Sequence, residues 1–122
     1  MSGPTPIPIL RIQGHLLVSV QTELADDMVE QFQNDVLSAI ERERDRGGGL
    51  LLDISSLRVV DTFVARVLAD TVGMAALMGR QTVLCGMRPE VAATLVQMGY
   101  LLPTVRTALS LDHGLDLLGK AR

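Results

Sequence analysis

Leu50-Leu51-Leu52-Asp53-Ile54 leads into Ser55-Ser56-Leu57-Arg58, then Val59-Val60-Asp61-Thr62-Phe63, then Val64-Ala65-Arg66-Val67-Leu68-Ala69-Asp70 and on to Met78. The first run is short, unbroken and apolar, the pattern of a strand covered on both faces. From Thr62 onward, Val64, Val67, Leu68, Thr71, Val72, Ala75 and Met78 recur at steps of three and four, so they share one side of a helix. Ser55 to Val60 must be the connecting loop, with Val59 and Val60 expected to tuck against the core. A buried strand followed directly by a helix predicts an α/β unit, and the rest of the chain repeats that unit.

Upstream, Gly47-Gly48-Gly49 separates the strand from a charged run, Glu41-Arg42-Glu43-Arg44-Asp45-Arg46, read as a solvated helix end. That helix begins at Asp26, where two carboxylates suit the free amides of a first turn, and carries Met28, Val29, Phe32, Val36, Leu37 and Ile40 inward. The glycine triplet is not a phosphate cradle, because such loops follow a strand and open a helix, whereas this one does the reverse. Before it, Ile9 to Gln13 and Leu16 to Gln21 flank a Gly14-His15 turn and read as a hairpin, the second strand lying further inside. Residues 1–8, with three prolines and a glycine, read as a loose arm.

Downstream, Gly79 closes the second helix and Gln81 to Gly86 is another interior strand. Pro89 sits near the first position of a third helix, where its missing amide costs nothing. This helix carries Ala92, Ala93, Leu95, Val96 and Met98 and ends at Gly99. Thr104 to Ser110 reads as a last strand and Asp112 as the start of a terminal helix. Helix-length crossovers between strands predict parallel pairing and right-handed connections after the hairpin.

At 122 residues the chain is expected to be one domain spanning 1–122, with a core large enough to need no staples. The formal net charge is −3, and its 11 Lys and Arg form no stripe, which argues against nucleic acid. A single cysteine, Cys85, precludes an internal disulfide and a cysteine-rich metal site and suits a reduced, cytoplasmic setting. No signal peptide and no membrane helix are expected. Few aromatic residues leave little platform for stacking bases or sugars.

Catalytic groups do not assemble in the sequence. His15, placed in the hairpin turn, and His113, at the start of the last helix, read as surface or capping residues, and Cys85 as a small buried hydrophobe. Asp53 ends a central strand, as the acceptor of a response-regulator receiver does, but the acidic pair and lysine of such a site are missing, so it reads as a turn or capping carboxylate. No catalytic residue and no metal site are expected. Asp61-Thr62 supports two readings: a helix cap, and a hydroxyl whose phosphorylation would add roughly −1.5 to −2 charges beside free amides without unfolding the domain.

The chain resembles a STAS domain, the fold of anti-sigma factor antagonists, and is similar to RsbS-type stressosome proteins. The resemblance rests on Ile7-Pro8-Ile9-Leu10 and Leu16 to Gln21, on Leu52-Asp53-Ile54-Ser55 and Val60-Asp61-Thr62-Phe63, and on Leu77-Met78-Gly79 with Gly86-Met87-Arg88-Pro89-Glu90-Val91-Ala92. It implies a SpoIIAA-like α/β fold: a mixed, mostly parallel five-stranded sheet with an N-terminal hairpin and about four helices. It also implies a non-enzymatic binding protein for a switch kinase of the RsbT kind, with RsbR-like STAS co-subunits, an RsbX-like phosphatase, a homodimer and a large hetero-oligomer. ATP would enter only as the kinase's phosphate donor, and no cofactor is implied. The acceptor of such proteins falls here on Thr62, and the second acceptor of RsbR-type subunits on Thr94, although no RsbR-type sensor segment is expected ahead of the domain. Asp61, Thr62, Phe63 and Arg58 are the partner-binding residues this implies. A small-ligand or nucleotide-binding STAS module, and an anti-sigma factor antagonist acting outside any stressosome, are the alternatives.

Overall fold

The computed structural model describes residues 7–20, 26–97 and 105–119. They form β1 (Ile9–Ile12), β2 (His15–Ser19), α1 (Asp26–Arg42), β3 (Leu50–Asp53), α2 (Thr62–Leu77), β4 (Thr82–Cys85), α3 (Pro89–Gln97), β5 (Arg106–Ala108) and α4 (Leu111–Leu118). The strands make one sheet in sequential order, β1-β2-β3-β4-β5. The β1–β2 pair is antiparallel and the other three pairs are parallel, with Leu17 opposite Leu51 and Leu51 opposite Val83. The expected ends at Gly99, Thr104 and Gln21 lie outside the described residues, as do positions 1–6 of the arm and Met98. Ile7, at the arm's end, is held: its amide donates to Asp35 Oδ2 at 3.1 Å and its side chain packs on the core.

The unbroken apolar character of β3 has a direct cause. Leu50 and Leu52 point into the larger core with Phe32 and Ile40 of α1, Val64 and Leu68 of α2, and Val91 and Leu95 of α3. Leu51 points the other way, into a smaller core with Val83, Cys85, Ala108 and Leu115 of α4. Strand side chains alternate between faces, so a strand covered on both must be apolar throughout. Helix α4 lies very close to the sheet; a Cβ on Gly114 would stand 2.7 Å from Cys85 Sγ and 2.8 Å from Leu51 Cδ2.

Four expectations from apolar pattern fail. Val60 is buried but Val59 is 64% exposed, because adjacent residues of an extended segment face opposite ways and only one can point inward. Met78 caps the end of α2 and stays 39% exposed. In α3 only Val91 and Leu95, one turn apart, are buried, which leaves Val96 64% exposed and Ala93 on the outside.

His15 corrects another expectation. It opens β2 instead of sitting in the turn, which is Gln13-Gly14, and it is 1% exposed. Its Nδ1 accepts from the Gly49 amide at 2.8 Å, so the neutral ring carries its proton on Nε2, which faces the Gly119 carbonyl at 2.7 Å. The histidine thereby ties the hairpin to the approach of β3 and to the end of α4.

The glycine triplet is fixed from another side by Arg80, which is 3% exposed. Its Nη2 donates to the Glu43 and Arg46 carbonyls at 3.0 and 3.2 Å, and its Nη1 to the Gly47 carbonyl at 3.3 Å. These are carbonyls at and beyond the end of α1, where acceptors run out of helical partners and the dipole is negative. Burial lowers the Arg80 pKa, the Glu43 carboxylate opposes that shift, and Arg11 adds to it. Gly48 has φ +116°, and a Cβ there would stand 2.1 Å from the Gly14 carbonyl oxygen, so only glycine fits the packing of the two turns.

Candidate functional site

The opposite end of the sheet, where β3 and β4 finish, carries the residues expected to matter. Ile54 is buried at the end of β3, and Asp53 Oδ1 accepts from the Ser55 amide at 3.0 Å, closing a tight turn as a two-residue side-chain bridge does. Arg88 Nε donates to the Ser55 carbonyl at 2.8 Å, which ties this loop to the approach of α3. Leu57 and Val60 anchor the loop inside, while Arg58 and Val59 between them face outward.

Asp61 is the N-cap of α2, with extended backbone (φ −90°, ψ 178°). Its Oδ1 accepts from the Val64 amide at 2.8 Å and its carbonyl from the Ala65 amide at 2.9 Å. This is the geometry by which an aspartate stops the first turn from fraying. Thr62 is therefore the first helical residue, and the amides of Thr62 and Phe63 stand at the open, positive end of the helix. Thr62 is exposed, and among the described residues its hydroxyl has no hydrogen-bond partner. Phe63 beside it is 37% exposed. Asp61, Thr62 and Phe63 thus form one continuous exposed surface, with Arg58 in the loop that leads to it.

Thr94 stands apart from this surface. It is half-buried in α3, and its Oγ1 donates to the Glu90 carbonyl one turn back at 2.9 Å, the ordinary bond of a mid-helix threonine. His113 is exposed in the first turn of α4, its amide donating to Oγ of the Ser110 N-cap at 3.2 Å. The Cys85 thiol is pushed up to about 11 by burial first and by the Asp53 charge second, so it is a protonated core group at neutral pH. Among the described residues no three His, Cys, Asp or Glu side chains are arranged to hold a metal, and no helix is long and apolar enough to cross a membrane.

Sequence reasoning placed the helix start correctly but did not find the Arg88–Ser55 tie. Its signal, an arginine just before Pro89, says nothing about a loop 33 positions away.

The structure is that of a small α/β domain with a hairpin at one edge of its sheet, three helices on one face, one on the other, and an exposed hydroxyl at a capped helix start. The chain belongs to the STAS domain family, whose profile matches residues 6–113. Among solved structures it is similar to a point variant of RsbS from Moorella thermoacetica, with 42% identity, coverage of 93% of this chain and 94% of that one, and a TM-score of 0.81. It is similar also to a chain in the structure of the stressosome, described there as a signal integration and transduction hub, at 39% identity, 90% and 94% coverage and TM-score 0.76. The RsbT co-antagonist protein RsbRA of Bacillus subtilis is 33% identical over 101 residues, 83% of this chain but 35% of that protein. The chain thus spans about a third of that relative's length. The anti-sigma factor antagonist SpoIIAA, at 16% identity and TM-score 0.71, shares the fold.

Proposed function

We propose that this chain is a non-enzymatic, phosphorylation-controlled binding subunit of a stressosome-type assembly in the cytoplasm. Unmodified, and together with RsbR-like STAS co-subunits, it holds an RsbT-like serine/threonine kinase. Phosphorylation of Thr62 releases the kinase, and an RsbX-like phosphatase restores the first state. The observation that carries this reading is the exposed Thr62 hydroxyl, without a hydrogen-bond partner among the described residues, directly after the Asp61 cap, in a chain 42% identical to an RsbS along almost its whole length.

In the transfer step Thr62 Oγ attacks the γ-phosphorus of ATP held by the kinase. The new Oγ–P bond forms as the bond from that phosphorus to the β,γ-bridging oxygen breaks, ADP leaves, and the hydroxyl proton passes to a base of the kinase. The protein needs no cofactor of its own. The phosphate brings roughly −1.5 to −2 charges to a surface made by Arg58, Asp61 and Phe63. The helix dipole and the Thr62 and Phe63 amides favour that charge in place, so the docking surface changes while the fold stays. Asp61 cannot leave its cap without loss to α2, which keeps the acceptor in a fixed geometry for the kinase. Thr94, bonded to its own helix, is the lesser acceptor.

A nucleotide-binding role has less behind it. Ligand crevices in open α/β sheets form where strand order reverses, and this sheet runs in sequential order without such a point.

The test compares capture of the cognate kinase by wild type, Thr62→Ala and Thr62→Asp, with mass spectrometry of the wild type after incubation with kinase and ATP. Thr62→Ala is expected to hold the kinase without releasing it on ATP addition, and Thr62→Asp to bind at least about tenfold more weakly, a loss near 1.4 kcal/mol. Equal capture and release by all three, with no phosphate at residue 62, removes Thr62 from the mechanism.

A further inference from the structure

The loop between β3 and α2 is held on three sides at Ser55. Ile54 to Leu57 is a tight turn, closed by the Leu57 amide donating to the Ile54 carbonyl at 3.0 Å. Within it the Ser55 amide is taken by Asp53 Oδ1 at 3.0 Å, and the Ser55 carbonyl accepts from Arg88 Nε at 2.8 Å. The Ser55 side chain lies so close to Gly86 that a Cβ there would stand 2.8 Å from Ser55 Cβ. Of these two hydrogen bonds to Ser55, only that of Arg88 comes from a distant part of the chain. Arg88 is itself fixed, because its carbonyl accepts from the Ala92 amide at 3.0 Å, the first helical bond of α3, and α3 is seated by Val91 and Leu95.

Beyond the turn, Leu57 and Val60 are buried, and Arg58 and Val59 between them face outward. Among the described residues neither Arg58 nor Val59 makes a hydrogen bond of its own, so their display depends on the turn before them and the cap after them. We infer that Arg88 is a positioning residue for kinase docking: through the Ser55 carbonyl it holds the turn, and through the turn it sets the place of Arg58 and Val59 beside Thr62. The inference rests on the reading of this surface as the kinase's docking site. Thr62 itself does not need the tie, since Asp61 caps α2 by accepting from the helix's own Val64 amide. Arg88 therefore governs how tightly the kinase docks, and not the transfer to Thr62 once it has docked.

The bond uses only Nε. Among the described residues the two Nη groups of Arg88 have no hydrogen-bond partner, so a neutral N–H at the position of Nε is enough to hold the turn. Glutamine supplies one, because its Nε2, like the arginine Nε, is the donor bonded to Cδ. Methionine has a similar length and no donor. Lysine keeps the charge but carries its nitrogen one bond further out, as a point charge on a flexible stem. Glutamine and lysine thus separate a positioning role from direct reading of the Arg88 charge by the kinase.

The test measures phosphorylation of Thr62 in the full chain by the cognate kinase at saturating ATP, over a series of chain concentrations, together with hydrogen exchange at the Ser55 and Leu57 amides. Arg88→Met is expected to raise KM at least about fivefold with kcat within about twofold of the wild type, the signature of lost binding shared by ground and transition states. It is also expected to speed exchange at both amides while those of α2 exchange as in the wild type. Arg88→Gln is expected to bring KM and exchange back to within about twofold of the wild type, and Arg88→Lys to leave both near the methionine variant. Rescue of KM by lysine and not by glutamine shows that the kinase reads the charge itself, and overturns the inference. A fall in kcat alone, or faster exchange throughout α2 and the sheet, overturns it as well. A wild type that takes no phosphate at Thr62 overturns the earlier reading and the docking role with it, whereas a phosphorylated wild type matched by Arg88→Met overturns this inference alone.

Discussion

Cys85 shows how a single side chain can be chemically silent and still leave a signature. It is 1% exposed, packed beneath Gly114 at the end of a strand whose four residues are all buried. Burial is the larger cause of its raised pKa, and the Asp53 carboxylate on the neighbouring strand is the second. In the folded protein the thiol ionises at about 11, against an ordinary value of 9.0 in the open chain. The unfolded state therefore loses its proton first as pH rises. Stability that is intact below pH 9 declines as pH climbs towards 11, since the unfolded state binds fewer protons than the folded one across that window. Urea midpoints of wild type and Cys85→Ala from neutral pH to this range are expected to converge, because the alanine variant lacks that titration. Midpoints that stay parallel show that Cys85 is not the group responsible.

At the level of elements, the start of α2 is where sequence and structure agree most closely, and the reason is locality. An aspartate ahead of a run of apolar residues at helical spacing is a start signal that needs no distant partner, and Asp61 caps as expected. Asp61→Ala is expected to cost about 1 kcal/mol, and Asp61→Asn only a few tenths, because asparagine keeps the accepting oxygen. Urea unfolding decides between them, and equal losses would show that charge at the helix end, not the side-chain bond to the Val64 amide, carries the effect. Strand existence, element order and the two-sided cover of β3 were also legible, because period and composition report faces directly. The exposure of Val59 and Val96 was not, since apolar character does not say which of two adjacent side chains turns inward. His15 and Arg80 were the least legible. Their roles depend on partners 34 and 104 positions away for the histidine and 33 to 37 for the arginine. Only the closing of the sheet brings these groups together.

Across the whole molecule, α2 separates two ends with different duties. Thr62 stands at its start and Arg80 just past its finish, about 24 Å apart by helix rise. The far end holds three chain crossings together through Arg80, His15 and the close packing of Gly48 on Gly14. The near end exposes the Thr62 hydroxyl just after a loop pinned by Leu57, Val60 and the Arg88–Ser55 bond. Arg80→Ala removes its donors from three carbonyls, of which that of Glu43 keeps the Arg46 amide at 2.9 Å, and is expected to cost about 2–4 kcal/mol in urea unfolding. Thr62→Asp places an anion at an open helix start and is expected to change stability by less than about 1 kcal/mol. Because the sites share no partner and lie well beyond the 7–10 Å over which mutations couple, the double variant should lose the sum of the two, within about 0.5 kcal/mol. Kinase capture by folded Arg80→Ala should match the wild type, while Thr62→Asp loses it in either background. A coupling well above that margin, or capture lost in Arg80→Ala at a temperature where it is still folded, would mean that the ends communicate through α2 and that the glycine end takes part in the switch.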